Sequence, residues 1–155
     1  MKKLDFFGAG PRIGRVTLPY FASAIALTII FPKLFTFGEP VRNYLLIIGI
    51  ILLALGLILY GLTVRLLLKG LKEIRLVTNG TYRYCQNPLY AIIILLIIPG
   101  IGLIMNSWLI LTTSIIGYIV FKKFINSEYK GMTEVFGDEY LQYQKRTPEF
   151  FPFIR

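Results

Sequence analysis

The sequence predicts an all-α integral membrane protein with four transmembrane helices, the third and fourth forming a tight hairpin, and a cytoplasmic amphipathic helix at the C-terminal end. Three observations carry this expectation. The mean hydropathy is +0.66 and 55% of the 155 residues are hydrophobic, which is too apolar for a small soluble domain. Uncharged apolar stretches cover residues 16–32, 43–64 and 88–121. A helix needs roughly 20 residues to cross about 30 Å of hydrocarbon, so the last stretch holds two shortened or tilted passes around "PGIGLIMNSW". The third observation is that the basic residues are one-sided.

Helix one follows Lys2, Lys3, Arg12 and Arg15. The "ASA" at 22–24 resembles a signal-cleavage site, but only a handful of apolar residues precede it, so the helix is read as retained. Helix two is followed by Arg65, Lys69, Lys72, Arg75 and Arg83, and helix four by Lys122, Lys123, Lys130, Lys145, Arg146 and Arg155. The opposite side carries Lys33 and Arg42, and the "MNS" turn carries no charge. By the positive-inside rule, both termini and the loop 69–87 are cytoplasmic. Within that loop "NG" marks a tight turn. Helix three starts at "NP", where Asn87 suits an N-cap and Pro88 the first helical position. In the tail, Met132, Val135, Phe136, Tyr140 and Tyr143 recur at helical spacing up to Pro148, which predicts an amphipathic helix on the membrane surface or against the loop.

Composition also excludes chemistry. The single cysteine, Cys85, has no partner for an internal disulfide. With no histidine, the usual zinc ligand sets and any Ser-His or Cys-His pair are ruled out, so no metal is expected. The net charge of +9 is explained by membrane topology, and no nucleic-acid partner is expected. No internal repeat or low-complexity linker divides the chain, so residues 1–155 are read as one domain, with 1–78 as the N-terminal helices and loop and 79–155 as its core.

Taken singly, the polar residues near helix three have architectural explanations. Tyr82, Tyr84 and Tyr90 fit an interfacial aromatic belt. Glu128 fits a solvated carboxylate partnered by Lys122 or Lys123. Gly100 and Gly102 fit close packing of helices three and four, and Cys85 a small filler.

Together they form a more specific pattern. "NGTYRYCQNPLY", a helical hairpin, Glu128 and then "FGDEYLQYQKRTPEFFP" resemble the isoprenylcysteine carboxyl methyltransferase and phospholipid methyltransferase family. Gly80, Tyr82, Arg83, Tyr84, Asn87, Pro88 and Tyr90 match its first block, and Glu128 matches the first residue of its Glu-Glu pair. Phe136, Gly137, Tyr140, Tyr143, Arg146, Pro148, Phe150 and Pro152 match its tail. The chain departs from the pattern at Thr81 (usually Pro), Gln86 (Arg), Ile92 (Gly) and Tyr129 (Glu). The change at 86 removes a charged partner for a cofactor carboxylate, and that at 129 removes one carboxylate from the site.

The resemblance implies methyl transfer from S-adenosylmethionine to a lipid-like acceptor, with the carboxylate of a prenylated cysteine favoured and a phospholipid amine as the alternative. It implies catalytic roles for Glu128 and Asn87. Cofactor binding falls to Tyr82, Arg83, Tyr84, Gln86, Asn87, Pro88, Tyr90, Glu128, Tyr140, Tyr143 and Arg146. In this scheme the start of helix three, with Arg83 or Gln86, receives the cofactor carboxylate. Glu128 accepts from ribose hydroxyls or the ammonium, the tyrosines meet the adenine or the sulfonium, and the tail closes over them. Two rivals stand beside it. One is an NADPH-dependent steroid-reductase-like enzyme, with Lys69, Lys72 and Arg75 on the ribose phosphate; the other is a non-catalytic membrane protein.

Overall fold

The computed structural model describes residues 9–152, so Lys2, Lys3 and Arg155 of the topology argument lie outside the described residues. Among the described residues the chain is helical with no strand beyond an isolated bridge between Thr36 and Ser107. Four helical rods account for most of it: α1 (Gly10–Ile30), α2 (Arg42–Glu73), α3 (Pro88–Ile104) and α4 (Trp108–Arg146). Three of them, α1, α2 and α4, are long and apolar enough to cross a membrane, and α3 is apolar but shorter.

The α1 helix starts at Pro11 in its first turn and buries Ile13, Thr17, Ala24 and Thr28, a single stripe that packs along α4. Its threonines return their hydroxyls to the backbone one turn earlier, at Ile13 O and Ala24 O, which leaves no unpaired donor in an apolar setting. Thr28 also meets Ser107 at 2.8 Å, and Tyr20 meets Thr112 at 2.7 Å. These polar pairs fix the rotation of α1 against α4.

In α2 the buried residues are Gly49, Gly56, Thr63 and Gly70, one every seven residues. A seven-residue period keeps one narrow seam on one face, flanked by half-buried residues such as Leu53, Val64 and Leu67, and much of the remaining apolar surface faces outward. Small residues on the seam let backbones touch. A Cβ on Gly49 would lie 2.8 Å from Gly100 O and 2.8 Å from Ile104 N, and one on Gly100 would lie 2.9 Å from Leu53 N. Gly100 therefore packs on α2 and not on α4, whereas Gly102 does face Leu111 of α4. The sequence reading assigned both glycines to the hairpin because it had no view of the α2 seam.

The α3 helix is interrupted by a π turn over Ile93–Ile97, closed by Ile98 N–H bonding to Ile93 O. Pro99 follows at once and lacks the N–H that a regular ladder would use. One extra residue in a turn advances the helix by about 100°, so the faces before and after the π turn point in different directions. Tyr90 and Ile94 face α4, while Gly100 faces α2. The α3–α4 turn is closed by Asn106 in the left-handed region (φ 54°), and Ser107 caps α4 by accepting from Ile110 N. Asn106 also ties this turn to the α1–α2 connection, donating to Gly38 O and accepting from Phe37 N.

The α4 helix runs past the apolar zone and breaks at Gly137 (φ 53°, ψ −130°) before continuing to Arg146. The amphipathic segment expected from the sequence is helical and straddles this break, with Met132, Val135 and Phe136 before it and Tyr140 and Tyr143 after it. Its Met132, Phe136, Tyr140 and Tyr143 pack with Leu76 and Tyr129, against the loop.

Replacing Gly49 with Ala is expected to destabilise the protein by about 1–3 kcal/mol, since its Cβ meets backbone atoms that have no room to move. Gly61→Ala, where nothing lies within 4 Å of the new Cβ, is the control and should leave stability unchanged or raise it. Thermal unfolding in detergent measures both.

Candidate functional site

The connection from α2 to α3 lacks regular structure apart from one 3-10 turn, Gly80–Arg83, so it must find partners for its polar groups elsewhere. It finds them in the end of the chain. Gln86 N–H donates to Pro148 O at 2.8 Å, and the Gln86 side-chain amide donates to Thr147 O at 2.6 Å and Gln144 O at 3.2 Å. Asn87 Nδ2 donates to Glu149 O at 2.9 Å, and the Tyr143 hydroxyl donates to Tyr82 O at 2.6 Å.

Beneath this cover lies a cavity of about 800 Å³. One end is polar, with Arg75, Tyr82, Gln86, Asn87, Tyr90, Glu128, Tyr129, Tyr140 and Tyr143 in its wall. The other is an apolar arm running up between α1, α2 and α3 along Phe21, Val64, Leu67, Ile97 and Ile101. Leu18 also lines it and is 66% exposed, so the arm reaches the outer surface of the helices.

Glu128, one helical turn beyond the buried Ile125, is half-buried in the cavity wall. Its Oε2 accepts from Ala9 N at 2.9 Å and from the Tyr90 hydroxyl at 3.1 Å. A carboxylate has about four acceptor positions, so Glu128 retains capacity for a ligand. Lys122 and Lys123, its partners in the architectural reading, are engaged elsewhere: Lys122 with Glu149 and Lys123 over the Phe124 ring. Asn87 is 5% exposed and does not cap α3 with its side chain. Its amide instead donates to the Tyr129 hydroxyl at 2.6 Å, which in turn donates to Glu149 Oε1 at 3.2 Å. Tyr129 occupies the position of the second Glu in the resemblance, and Glu149 brings a carboxylate next to it from the tail.

Of the sequence candidates, Tyr82, Gln86, Asn87, Pro88, Tyr90, Glu128, Tyr140 and Tyr143 converge on the cavity. Arg83 and Tyr84 do not; they border a separate pocket on the outer side of the loop. In a 3-10 turn successive side chains diverge by about 120°, so with Tyr82 facing inward its neighbour faces out. Arg146 sits on the exposed end of α4 with Nε donating to Gln142 O. Lys69, Lys72 and Arg75 do not converge as a phosphate cluster either: Lys69 borders the outer pocket, and Arg75 borders the cavity and pairs with Glu73. The sequence reading missed Glu149 and the contribution of Ala9 at the start of α1, and saw Tyr129 only as a lost carboxylate. Among the described residues no three His, Cys, Asp or Glu side chains come together as a metal site.

Burial raises the Tyr82 phenol above its usual value, with the Glu128 charge adding to the shift, so it stays a neutral donor at physiological pH. The Cys85 thiol is pushed from 9.0 to about 11, chiefly by burial, against an opposing hydrogen bond from the Asn87 backbone.

The phospholipid methyltransferase family matches residues 44–139, which span α2, the loop, α3 and α4 to just past the break at Gly137. The chain belongs to this family. It is also similar to the cobalt-zinc-cadmium resistance protein CzcN of Cupriavidus metallidurans, at 30% identity over 118 residues, covering 76% of this chain and 52% of that one. The chain thus spans about half the length of that relative. No solved structure matches it. The family match includes the loop, Asn87 and Glu128, and ends before Glu149. The cover that the tail provides is therefore a feature of this chain's structure beyond the matched segment.

Two outcomes are expected. Gln86→Ala removes both side-chain bonds to the tail and should increase hydrogen exchange over residues 147–152 by about five- to tenfold, measured by mass spectrometry. Cys85 should resist alkylation at neutral pH and react as the pH approaches 11. The folded state holds the neutral thiol, so the stability this contributes is complete below pH 9.0 and is lost as the pH rises through about 11.

Proposed function

We propose that this membrane protein transfers a methyl group from S-adenosylmethionine to the polar head of a lipid-like acceptor. The observation that carries this reading is the single cavity with a polar end at Glu128 and Asn87 and an apolar arm that opens outward between helices. Its volume, about 800 Å³, suits a drug-sized ligand with part of a second one beside it. S-adenosylmethionine, when bound, supplies a methyl on a positively charged leaving sulfur. The protein's own task is then alignment and exclusion of water.

The residues present fit that task. Glu128 keeps free acceptor capacity for ribose hydroxyls or an ammonium, and the donors that hold it among the described residues are neutral, so its negative charge favours a cationic ligand. Tyr82, Tyr140 and Tyr143 offer aromatic faces in the same wall. Asn87, fixed by Tyr129 and Glu149 O, keeps the start of α3 in place beside them. The tail over Gln86 keeps water from the polar end. Arg83, Tyr84 and Arg146 have no part in this scheme.

The membrane arrangement belongs to the same reading. The α3 helix crosses as a short fourth span, and both termini and the α2–α3 loop face the cytoplasm, where the basic residues concentrate. A polar cofactor arrives from that side and the acceptor's tail enters by the apolar arm. The carboxylate of a prenylated cysteine arrives ionised and needs no base. An amine-headed phospholipid is the second reading, favoured by the position of Glu128, which can take the proton an amine sheds.

Calorimetric titration of the purified protein with S-adenosylhomocysteine, and with NADPH in parallel, tests the cofactor. Saturable binding of the first alone is expected. Glu128→Gln should weaken it by about ten- to a hundredfold, and an unchanged affinity would remove Glu128 from the site. Methyl transfer to prenylcysteine and to amine phospholipid, assayed side by side, decides the acceptor.

A further inference from the structure

A second pocket of about 580 Å³ lies on the outer side of the junction between α2 and the loop, lined by Leu62, Arg65, Leu66, Lys69, Arg83 and Tyr84 among others. It is a built feature. The Thr63 hydroxyl donates to Leu59 O and accepts from the Thr81 hydroxyl at 2.9 Å, and Gly80, in the left-handed region at φ 59°, sits so close to Leu66 that a Cβ would lie 2.4 Å from its Cδ1. These contacts pin the Gly80–Arg83 turn to α2 and bring Arg83 into the same pocket as Arg65 and Lys69.

Three cations thus share one pocket, and among the described residues none of them has a hydrogen bond or ion pair. Charges serving topology alone need only lie on one face of the membrane, and nothing requires them to be gathered by a pinned turn. An anion relieves their mutual repulsion.

The helix itself indicates which anion. Ile51, Leu55, Ile58, Leu62, Arg65 and Lys69 lie within about 40° of one direction at 100° per residue. The first four are exposed apolar side chains, so a bare hydrocarbon stripe runs down α2 and ends at two cations, with a third supplied by the turn. We propose that this pocket binds the phosphate headgroup of an anionic phospholipid, whose acyl chain lies along Ile58, Leu55 and Ile51. The site faces away from the cavity and does not depend on methyl transfer.

Native mass spectrometry of the full chain in detergent, titrated with short-chain phosphatidylglycerol or phosphatidylcholine, tests this. Preferential retention of one phosphatidylglycerol is expected. Arg65→Gln, Lys69→Gln or Arg83→Gln should each weaken retention by about fivefold, and the triple substitution by about a hundredfold. Circular dichroism confirms that the variants fold. A control triple, Lys123→Gln, Lys130→Gln and Lys145→Gln, removes the same charge outside the pocket and should retain the lipid. Equal retention of the two lipids, or an equal loss in both triple variants, overturns the site. Displacement of phosphatidylglycerol by inorganic phosphate alone makes it a free-anion pocket and overturns the lipid assignment.

Discussion

The return of the chain end onto the α2–α3 loop is the interaction on which the rest depends. A loop without regular structure carries donors and acceptors that water would satisfy if it were exposed, but water at this position would flood the polar end of the cavity. Gln86 and Asn87 resolve the conflict. Their side-chain amides and the Gln86 N–H meet the carbonyls of Gln144, Thr147, Pro148 and Glu149, so the tail serves the loop as a strand's neighbour would. The cost is that two polar side chains are committed to structure. Gln86 stands where the family pattern has Arg, and a buried guanidinium with five donors would need acceptors that this cover does not supply as well.

The cavity follows from how α2 meets its neighbours. On the hairpin-turn side, Gly49 and Gly100 bring the two backbones into contact, and no space remains. Toward the loop side, Gly70 is approached by Val77 instead, and Thr63 bonds to Thr81, so the partner of α2 changes from a helix to a loop. The π turn in α3 has already rotated Tyr90 and Ile94 toward α4. Because α2 keeps contact with α3 over residues 88–104 while α1 packs along α4 instead, the gap lies between α1 and α2, and α3 and the end of α4 close it.

What could be read from the sequence follows the range of the interactions. Hydropathy and spacing depend on neighbours within a few turns, so the apolar helices, the hairpin and the amphipathic spacing of Met132, Phe136, Tyr140 and Tyr143 were legible. The ordered blocks from Gly80 to Pro152 were enough to recognise the family, which the match over residues 44–139 supports. Length was less legible, because the π turn and the early Asn106 turn leave α3 shorter than the other rods. The candidate site was legible where a motif residue points inward and misleading at its neighbours. Tyr82 and Arg83 are adjacent in sequence and fall on opposite sides of one turn. Asn87 before Pro88 has the local signature of a cap, yet its partners are 42 and 62 residues away, at Tyr129 and Glu149. Nothing local in the sequence marks Glu149 or Ala9 as neighbours of this site.

The charges at the polar end show why Tyr129 in place of a Glu is compatible with the arrangement. Two adjacent carboxylates, at 128 and 129, would repel each other in a half-buried wall. Here the second carboxylate stands back by the length of a phenol, at Glu149, where Lys122 compensates it. Arg75, the cation in the wall, is paired with Glu73. Glu128 is then left facing the cavity with its charge balanced by an N–H and a phenol rather than by a cation. A carboxylate held in this way attracts positive charge and can still accept hydrogen bonds, which are the two properties the proposed sulfonium and ammonium require. Pairing it with a lysine would have stabilised the wall and removed both.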